Sequence, residues 1–328
     1  MLRPIIRGLV AALVLWLAVF ALYPLRLPAT PFQYELKSGS TLRSVAHDLK
    51  ERGILWEPWS FTLVGRLMGQ QGKIKAGSYE WDAPLTALQL LNRMTRGDSV
   101  QSEAKLIEGM TFAQFRAVLD GNEDLRHLTT GLSERDILGQ LGGDATSAEG
   151  QFFPDTYFFN KGGTDLDIMK RAHRALVQRL NAVWSHRAAG LPYEQPYEVL
   201  IMASIIEKET GKAEERPMIA GVFINRLQQG MKLQTDPTVI YGMGRRFDGN
   251  IRKRDLLADT PYNTYTRAGL PPTPIAMPSF AALEAAVHPA STRALYFVAK
   301  GDGTHQFSET LAEHNKAVVK YQLKHNGS

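Results

Sequence analysis

The chain has no cysteine among its 328 residues. That absence excludes disulfide staples, thiolate metal centres and thiol nucleophiles together, and it fits an oxidising compartment where a stray thiol is a liability. Charge of one sign is scarcely in excess. Lys and Arg number 38 against 33 Asp and Glu, leaving +5, too mild to point to nucleic acid. Hydrophobic residues make up 44% and charged residues 22%, which fits neither wholesale disorder nor a polytopic membrane protein. A chain of this length holds two packed domains, or one domain with an attached module.

Arg3 and Arg7 precede an uncharged apolar run from Leu9 to Leu22. Extended from Ile5 to Tyr23, the run reaches the lower end of the roughly 17–25 residues that cross a bilayer, and Arg7 can snorkel to the headgroups. Trp16 lies deeper than an interfacial anchor ordinarily does. The two arginines and the free amine favour an N-in orientation. A cleaved signal peptide is the alternative, but its apolar core is ordinarily shorter, and Tyr23-Pro24-Leu25-Arg26-Leu27 is a poor cleavage site. The expectation is a cytoplasmic tail (1–4), a single transmembrane anchor (5–23) in a bacterial inner membrane, a linker (24–31) and a periplasmic remainder.

After the linker, the alternation of Phe32, Tyr34 and Leu36 predicts a strand. Gly39 follows, then Thr41 as an N-cap and Leu42, Val45, Ala46 and Leu49 as one helical face. A similar phrase returns with Gly109 and Thr111, and Phe112, Phe115 and Leu119 form its buried face. Between them, Lys75–Trp81 reads as a strand and Pro84–Met94 as a helix. Residues 32–147 are therefore expected to be a small α+β region with two related strand-turn-helix units. The pattern resembles the LysM-type peptidoglycan-binding module, and an ordinary α+β spacer is the alternative.

Tyr197–Thr210 predicts a helix that is apolar all round from Val199 to Ile206 except for Ser204, and a helix without a polar face is buried. Glu207, Lys208 and Glu209 end it. At about 100° per residue Glu207 lies beside Ala203 while Glu209 points almost oppositely, so Glu207 is the carboxylate expected to face inward. Desolvation there disfavours the charged form, as a general acid requires near neutral pH. The competing reading is a helix that ends in a solvated Glu-Lys-Glu cluster. Pro217 opens a second helix with Ile219, Val222, Phe223 and Leu227 on one face, and Gly230 closes it. Leu233–Gly242 places turn-forming residues in a strand-like apolar context, and Pro261–Thr266 with Gly269–Ile275 describes a rigid, aromatic-bearing loop.

Five long phrases in order, Glu149–Phe159, Met202–Thr210, Val222–Gly244, Thr260–Ser279 and Ala294–Tyr321, are similar to the endolytic murein transglycosylase (MltG, or YceG-like) family. The resemblance implies an α+β fold with a transmembrane helix, a LysM-like module and a larger α+β catalytic domain at 148–325. It implies cleavage of the β-1,4 bond between N-acetylmuramic acid and N-acetylglucosamine in nascent glycan strands, leaving 1,6-anhydro ends and terminating elongation. The family's catalytic glutamate, the one in its SIxEKET phrase, corresponds here to Glu207, which the resemblance makes the single acid and base. Candidate substrate contacts within the phrases are Glu149, Tyr157, Asn225, Gln234, Asp236, Tyr262, Asn263 and Tyr265. Asp155 and Asp236 also read as turn-makers beside Pro154 and Pro237.

No cofactor is implied. His305 with nearby His314 lacks a third metal ligand, so the loop reading is preferred there. The basic stretches Arg245-Arg246 and Arg252-Lys253-Arg254 read as solvated loop, with stem-peptide carboxylates or anionic headgroups as the other possibility. Peptidoglycan strands are the expected partner, with membrane-bound peptidoglycan synthases beside them. A muramidase-type hydrolase and a non-catalytic wall-binding scaffold are the competing functions.

Overall fold

The computed structural model describes residues 2–99, 101–142 and 146–323; Met1 of the expected tail and Lys324–His325 of the expected catalytic domain lie outside them. Helix α1 (Leu2–Leu22) is long and apolar enough to cross a membrane. Strand β1 (Phe32–Leu36) turns Tyr34 and Leu36 inward, as its alternation predicts. It pairs antiparallel with β2 (Gly77–Trp81), with Tyr34 opposite Tyr79 and Phe32 opposite Trp81. Between the strands lie α2 (Leu42–Glu51) and α3 (Trp59–Leu67), giving a strand-helix-helix-strand order, and α4 (Ala87–Arg96) follows. Thr41 and Thr86 cap α2 and α4 by accepting the N–H groups of Ser44 and Gln89 at 3.1 Å. Val45, Ala46, Leu49, Phe61, Leu90 and Met94 close the core over the two strands.

The second part of the chain contains β3 (Gln101–Lys105), α5 (Phe112–Asp120), α6 (Glu134–Leu141), β4 (Thr156–Asn160) and α7 (Asp165–Ser185). These are followed by α8 (Pro196–Glu209), α9 (Arg216–Gln228), α10 (Asp236–Met243) and α11 (Lys253–Leu257). Helix α12 (Phe280–Val287), the antiparallel hairpin β5 (Tyr296–Ala299) with β6 (His305–Ser308), and α13 (Leu311–Val318) complete it. Helix α8 is the centre of this part. It packs against α7, α9 and α12, and every residue from Val199 to Ile206 is buried. The buried hydroxyl of Ser204 donates to Ile201 O at 2.7 Å and accepts from Ile275 N at 3.0 Å, so the one polar side chain in that run is satisfied.

The chain forms two compact units, Met1–Glu103 with Phe158–Gly163 and Ala104–Tyr157 with Thr164–Ser328. The expected boundary at 147/148 differs from this division. β3 and β4 pair with each other and each runs from one unit into the other, so a linear boundary cannot be drawn. The two related turns are nevertheless alike: Gly39 has φ 82° and Gly109 φ 75°, and each is followed by a threonine capping box. The strand-like reading of Leu233–Gly242 is corrected. Asp236 and Pro237 open α10, because proline at the first helical turn and an acid beside the helix N-terminus both favour helix there.

Phe115 is fully buried and stacks on Phe152 at 4.7 Å and on Phe112 at 6.2 Å. Phe115→Ala should cost about 3–5 kcal/mol and Phe115→Leu less than about 1.5 kcal/mol, measured by urea unfolding.

Candidate active site

Helix α8 emerges from its apolar surroundings at Glu207, Lys208 and Glu209, which the 3.6-residue repeat sends in three directions. Glu207 goes to the start of α12. Its Oε2 accepts the Ser279 N–H at 3.0 Å and the Ser279 hydroxyl at 2.5 Å, and its Oε1 lies 3.5 Å from the Arg216 guanidinium. Only 7% of the Glu207 side chain is exposed. Ser279 in turn caps α12 by accepting Ala282 N–H at 3.2 Å. Lys208 Nζ donates to Gly109 O at 3.2 Å. That glycine turn, held in a left-handed conformation, is bonded to Met277 O through its own N–H at 2.8 Å.

Glu209 faces a cavity of about 470 Å³, a size within the usual range for small-ligand sites. Its walls are Gln234, Thr235 and Asp236 before and at the start of α10, Tyr265, Arg226 of α9, strand β5 with His305, and α13. Thr235 donates its hydroxyl to Glu209. Burial pushes the Glu209 carboxyl up to about 7, and the neighbouring Asp236 charge adds to this, against the opposing effects of the Thr235 hydrogen bond, His305 and Arg226. Asp236 Oδ1 accepts the Tyr265 hydroxyl at 2.6 Å. Among the described residues lining the cavity, Glu209 and Asp236 are the carboxylates.

The cavity walls are held from behind. Thr235 N–H donates to the Thr264 hydroxyl at 3.1 Å, Thr238 Oγ1 lies 2.9 Å from that same hydroxyl, and all three threonines are buried. This network fixes the Thr235 hydroxyl that reaches Glu209. Gln234, beside it, has φ 50°, the one positive φ outside glycine among the described residues. Strain of that kind costs about 1–3 kcal/mol and persists where surrounding contacts over-determine it. Arg226 is buried under the floor, donating to Leu295 O at 2.6 Å and Leu233 O at 2.8 Å, with its guanidinium 5.2 Å from the centre of the Tyr296 ring. His305 Nδ1 lies 2.7 Å from Glu215 Oε2, and its backbone N–H donates to Glu215 Oε1 at 2.8 Å. His314 stacks on Tyr296 at 5.3 Å, and burial lowers its basicity.

Of the residues singled out in the sequence, Gln234, Asp236 and Tyr265 line the cavity with Glu209. Others do different work. Asn225 donates to the carbonyls of Thr292 and Ala294, tying α9 to the segment before β5. Asn263 bonds the carbonyls of Asp255, Leu256 and Ala258 and accepts Tyr265 N–H, which shapes the loop. Tyr157 donates to Phe153 O, and Tyr262 is bonded to Thr273. Asp155 accepts its neighbour Thr156 N–H in a local turn. Glu149 is 5% exposed and joins α5 to α10 by accepting Phe112 N–H at 2.9 Å and the Tyr241 hydroxyl at 3.1 Å. Thr235, Arg226 and Tyr296 were not among the sequence candidates, and His305, read there as loop, instead opens strand β6. The Thr235 position, between Gln234 and Asp236, was the available signal.

The sequence model of the YceG-like family matches residues 34–320. The chain belongs to the YceG-like family. It is 32% identical over 312 residues to the endolytic murein transglycosylase of Bacillus subtilis (strain 168), covering 89% of this chain and 85% of that one. An endolytic murein transglycosylase of Streptococcus pneumoniae (strain D39) is 24% identical over 87% of this chain, which spans 57% of its length. A crystal structure of a yceG-like protein from Listeria monocytogenes matches with a TM-score of 0.53 and 28% identity, over 88% of this chain and 99% of that one.

Burial pushes the Glu149 carboxyl up to about 7, although the bonds from Phe112 and Tyr241 pull the other way. A carboxyl that holds its proton more tightly when folded makes stability fall as pH rises from its unfolded value of about 4.5 through 7. Glu149→Gln in this YceG-like chain removes that loss. Its stability relative to the parent should therefore rise by on the order of 2–3 kcal/mol between pH 5 and pH 8, measured by urea unfolding at both values.

Proposed function

We propose that the chain is a peptidoglycan lytic transglycosylase, with Glu209 as its acid and base. The observation that carries this reading is the Glu209 carboxyl, pushed up to about 7 by burial, at the end of a buried helix on a cavity of about 470 Å³. The names of its relatives supply the substrate class: murein glycan strands. The reaction is endolytic cleavage of the β-1,4 bond after N-acetylmuramic acid, leaving 1,6-anhydro ends on nascent strands and so terminating their growth.

One carboxyl suffices for this chemistry. An ordinary glycosidase pairs an acid with a nucleophile or a base for water. In the lytic reaction the muramic C6 hydroxyl is tethered to the sugar that it attacks, which avoids recruiting a second molecule. Glu209 in its acid form gives its proton to the leaving glycosidic oxygen as the C1–O bond breaks. The resulting carboxylate takes the proton of the C6 hydroxyl as that oxygen closes on C1. The Thr235 hydroxyl holds the carboxyl in place through both halves, and Tyr265, Gln234 and Asp236 offer hydrogen bonds to the sugars. Glu207 would then act through position, fastening the end of α8 to the cap of α12.

Glu207 remains the alternative acid, as its place in the EKE phrase first suggested. Muramidase-type hydrolysis is favoured by one observation, the second carboxylate Asp236 on the same cavity. A wall-binding scaffold without activity leaves the raised Glu209 unexplained. The strand-helix-helix-strand order of the first unit supports a LysM-like reading. The apolar α1 with Arg3 and Arg7 before its core supports an N-in, single-pass anchor in the inner membrane. Such an anchor confines cleavage to wall near the membrane, beside the synthases that extrude new strands.

Digestion of uncrosslinked glycan, with the termini weighed by mass spectrometry, tests both the residue and the reaction. Glu209→Gln should lose about 10²–10⁴ in rate, whereas Glu207→Gln should lose stability and retain most activity. The products should carry anhydro ends, one water lighter than reducing ends. A fully active Glu209→Gln beside an inactive Glu207→Gln would return the role to Glu207, and reducing ends would establish hydrolysis.

A further inference from the structure

The first unit carries an exposed apolar surface directly beside α1. Trp16 donates its indole N–H to Ser60 Oγ at 3.1 Å, packs edge-on to Trp56 at 4.8 Å and stacks with Trp59 at 6.5 Å. Phe20, one turn further along α1, is buried. The start of α3 is thereby fixed to α1 at the level of Trp16, about 9 Å short of the Leu22 end at 1.5 Å per residue. A hydrocarbon core of about 30 Å needs about 20 helical residues, and α1 has 21. No length is spare, so a spanning α1 brings the Trp16 level, and α3 with it, down to the lipid.

Helix α3 has side chains to match. Phe61 and Val64 face the core, while Trp59, Leu63 and Leu67 recur at helical spacing on the other side. Leu67 is 72% exposed, Trp56 62% and Trp59 48%, with Met68 beside them also exposed. Indoles settle at headgroup depth, with an apolar body and a polar N–H. Arg43 and Arg66 line a groove with Trp59. Arg26 and Lys50 line a cavity of about 710 Å³ whose apolar walls include Phe20, Leu55 and Trp56 at the end of α1. Between Gly53 and Gly69 the one carboxylate is Glu57, and it is engaged in accepting Ser60 N–H at 3.0 Å. Apolar surface with cations and little acid is complementary to anionic phospholipid, with its acyl chains inside and its phosphate at the edge.

We propose that the α3 face of the first unit is seated in the outer-leaflet headgroup layer on anionic phospholipid, so that this unit lies on the bilayer. The proposal rests on α1 as a membrane-spanning helix. It also explains why Trp16 lies deeper in α1 than an interfacial anchor ordinarily does: its indole is engaged by Ser60 and the two neighbouring tryptophans.

The absence of cysteine permits single nitroxide labels on the full chain at Val10→Cys, Leu67→Cys and Lys37→Cys. The chain is placed in vesicles of phosphatidylglycerol and phosphatidylethanolamine, and each label is read by its collisions with oxygen, enriched in lipid, and with a water-soluble nickel chelate. The expected result is lipid contact at Val10, shallower lipid contact at Leu67, and water at Lys37. Adding Arg43→Glu and Arg66→Glu should lower the lipid-seated to water-exposed ratio at Leu67 by about fivefold per residue, and only where phosphatidylglycerol is present. Lipid at Val10 with water at Leu67 overturns the seating while the anchor stands. Water at Val10 overturns both. A Leu67 label shielded from both probes and dipolar-broadened means that a second copy covers the face, which also overturns the proposal, and indifference to charge reversal overturns the anionic partner.

Discussion

The end of α8 governs the second unit. A helix apolar on every side has no solvent face, and at its end here the carboxylates Glu207 and Glu209 are enclosed while Lys208 is exposed. Here three successive polar residues fan out at that end. Glu207 seizes the N-terminal cap of α12, Lys208 holds the glycine turn before α5, and Glu209 meets the cavity. Two of the three fasten the helix end to its neighbours. The third is positioned by that fastening and, among the described residues, has one side-chain hydrogen-bond partner, the Thr235 hydroxyl.

The competition at Glu209 is between desolvation and its polar neighbours. Three influences favour the anion: the Thr235 hydrogen bond, His305 and Arg226. Burial outweighs them, and the like charge of Asp236 reinforces it. The balance puts the carboxyl near 7, where acid and base forms are both accessible at physiological pH. This is the property that a proton donor needs if it is later to serve as the acceptor. Glu149 reaches a similar value from burial but is committed to Phe112 and Tyr241 and is not part of the cavity wall. A raised carboxyl is therefore not enough to mark a site; the cavity makes the distinction.

Much of this was legible in the sequence. The alternation of Phe32, Tyr34 and Leu36, the threonine caps, and the buried helix with its Glu-Lys-Glu end all follow from local pattern and appear where expected. The sequence turns Glu207 inward and Glu209 almost oppositely, whereas the structure encloses both. A helical wheel orders directions by contrast between faces, and α8 offers none from Val199 to Ile206, so both carboxylates enter protein. Asn225 and Asn263 look like sugar ligands in one dimension. In three dimensions their amides satisfy backbone carbonyls of irregular segments, a need visible only once those segments are placed. Arg226 and His305 were illegible for the opposite reason. Arg226 bonds nearby Leu233 but also Leu295, 69 residues on, and the Glu215 partner of His305 lies 90 residues away; no local period encodes these distant links. The proline at the start of α10 was legible in principle, and the apolar context around it concealed the helix.

Burial holds the Glu209 carboxyl in its acid form up to neutral pH. The most direct measurement is a carbon-13 NMR titration of the full chain labelled at its glutamate carboxyls, with the Glu209 signal assigned by its disappearance in Glu209→Gln. The expected midpoint is near 7. A midpoint near 4.5, the ordinary value for a solvated glutamate, would contradict it.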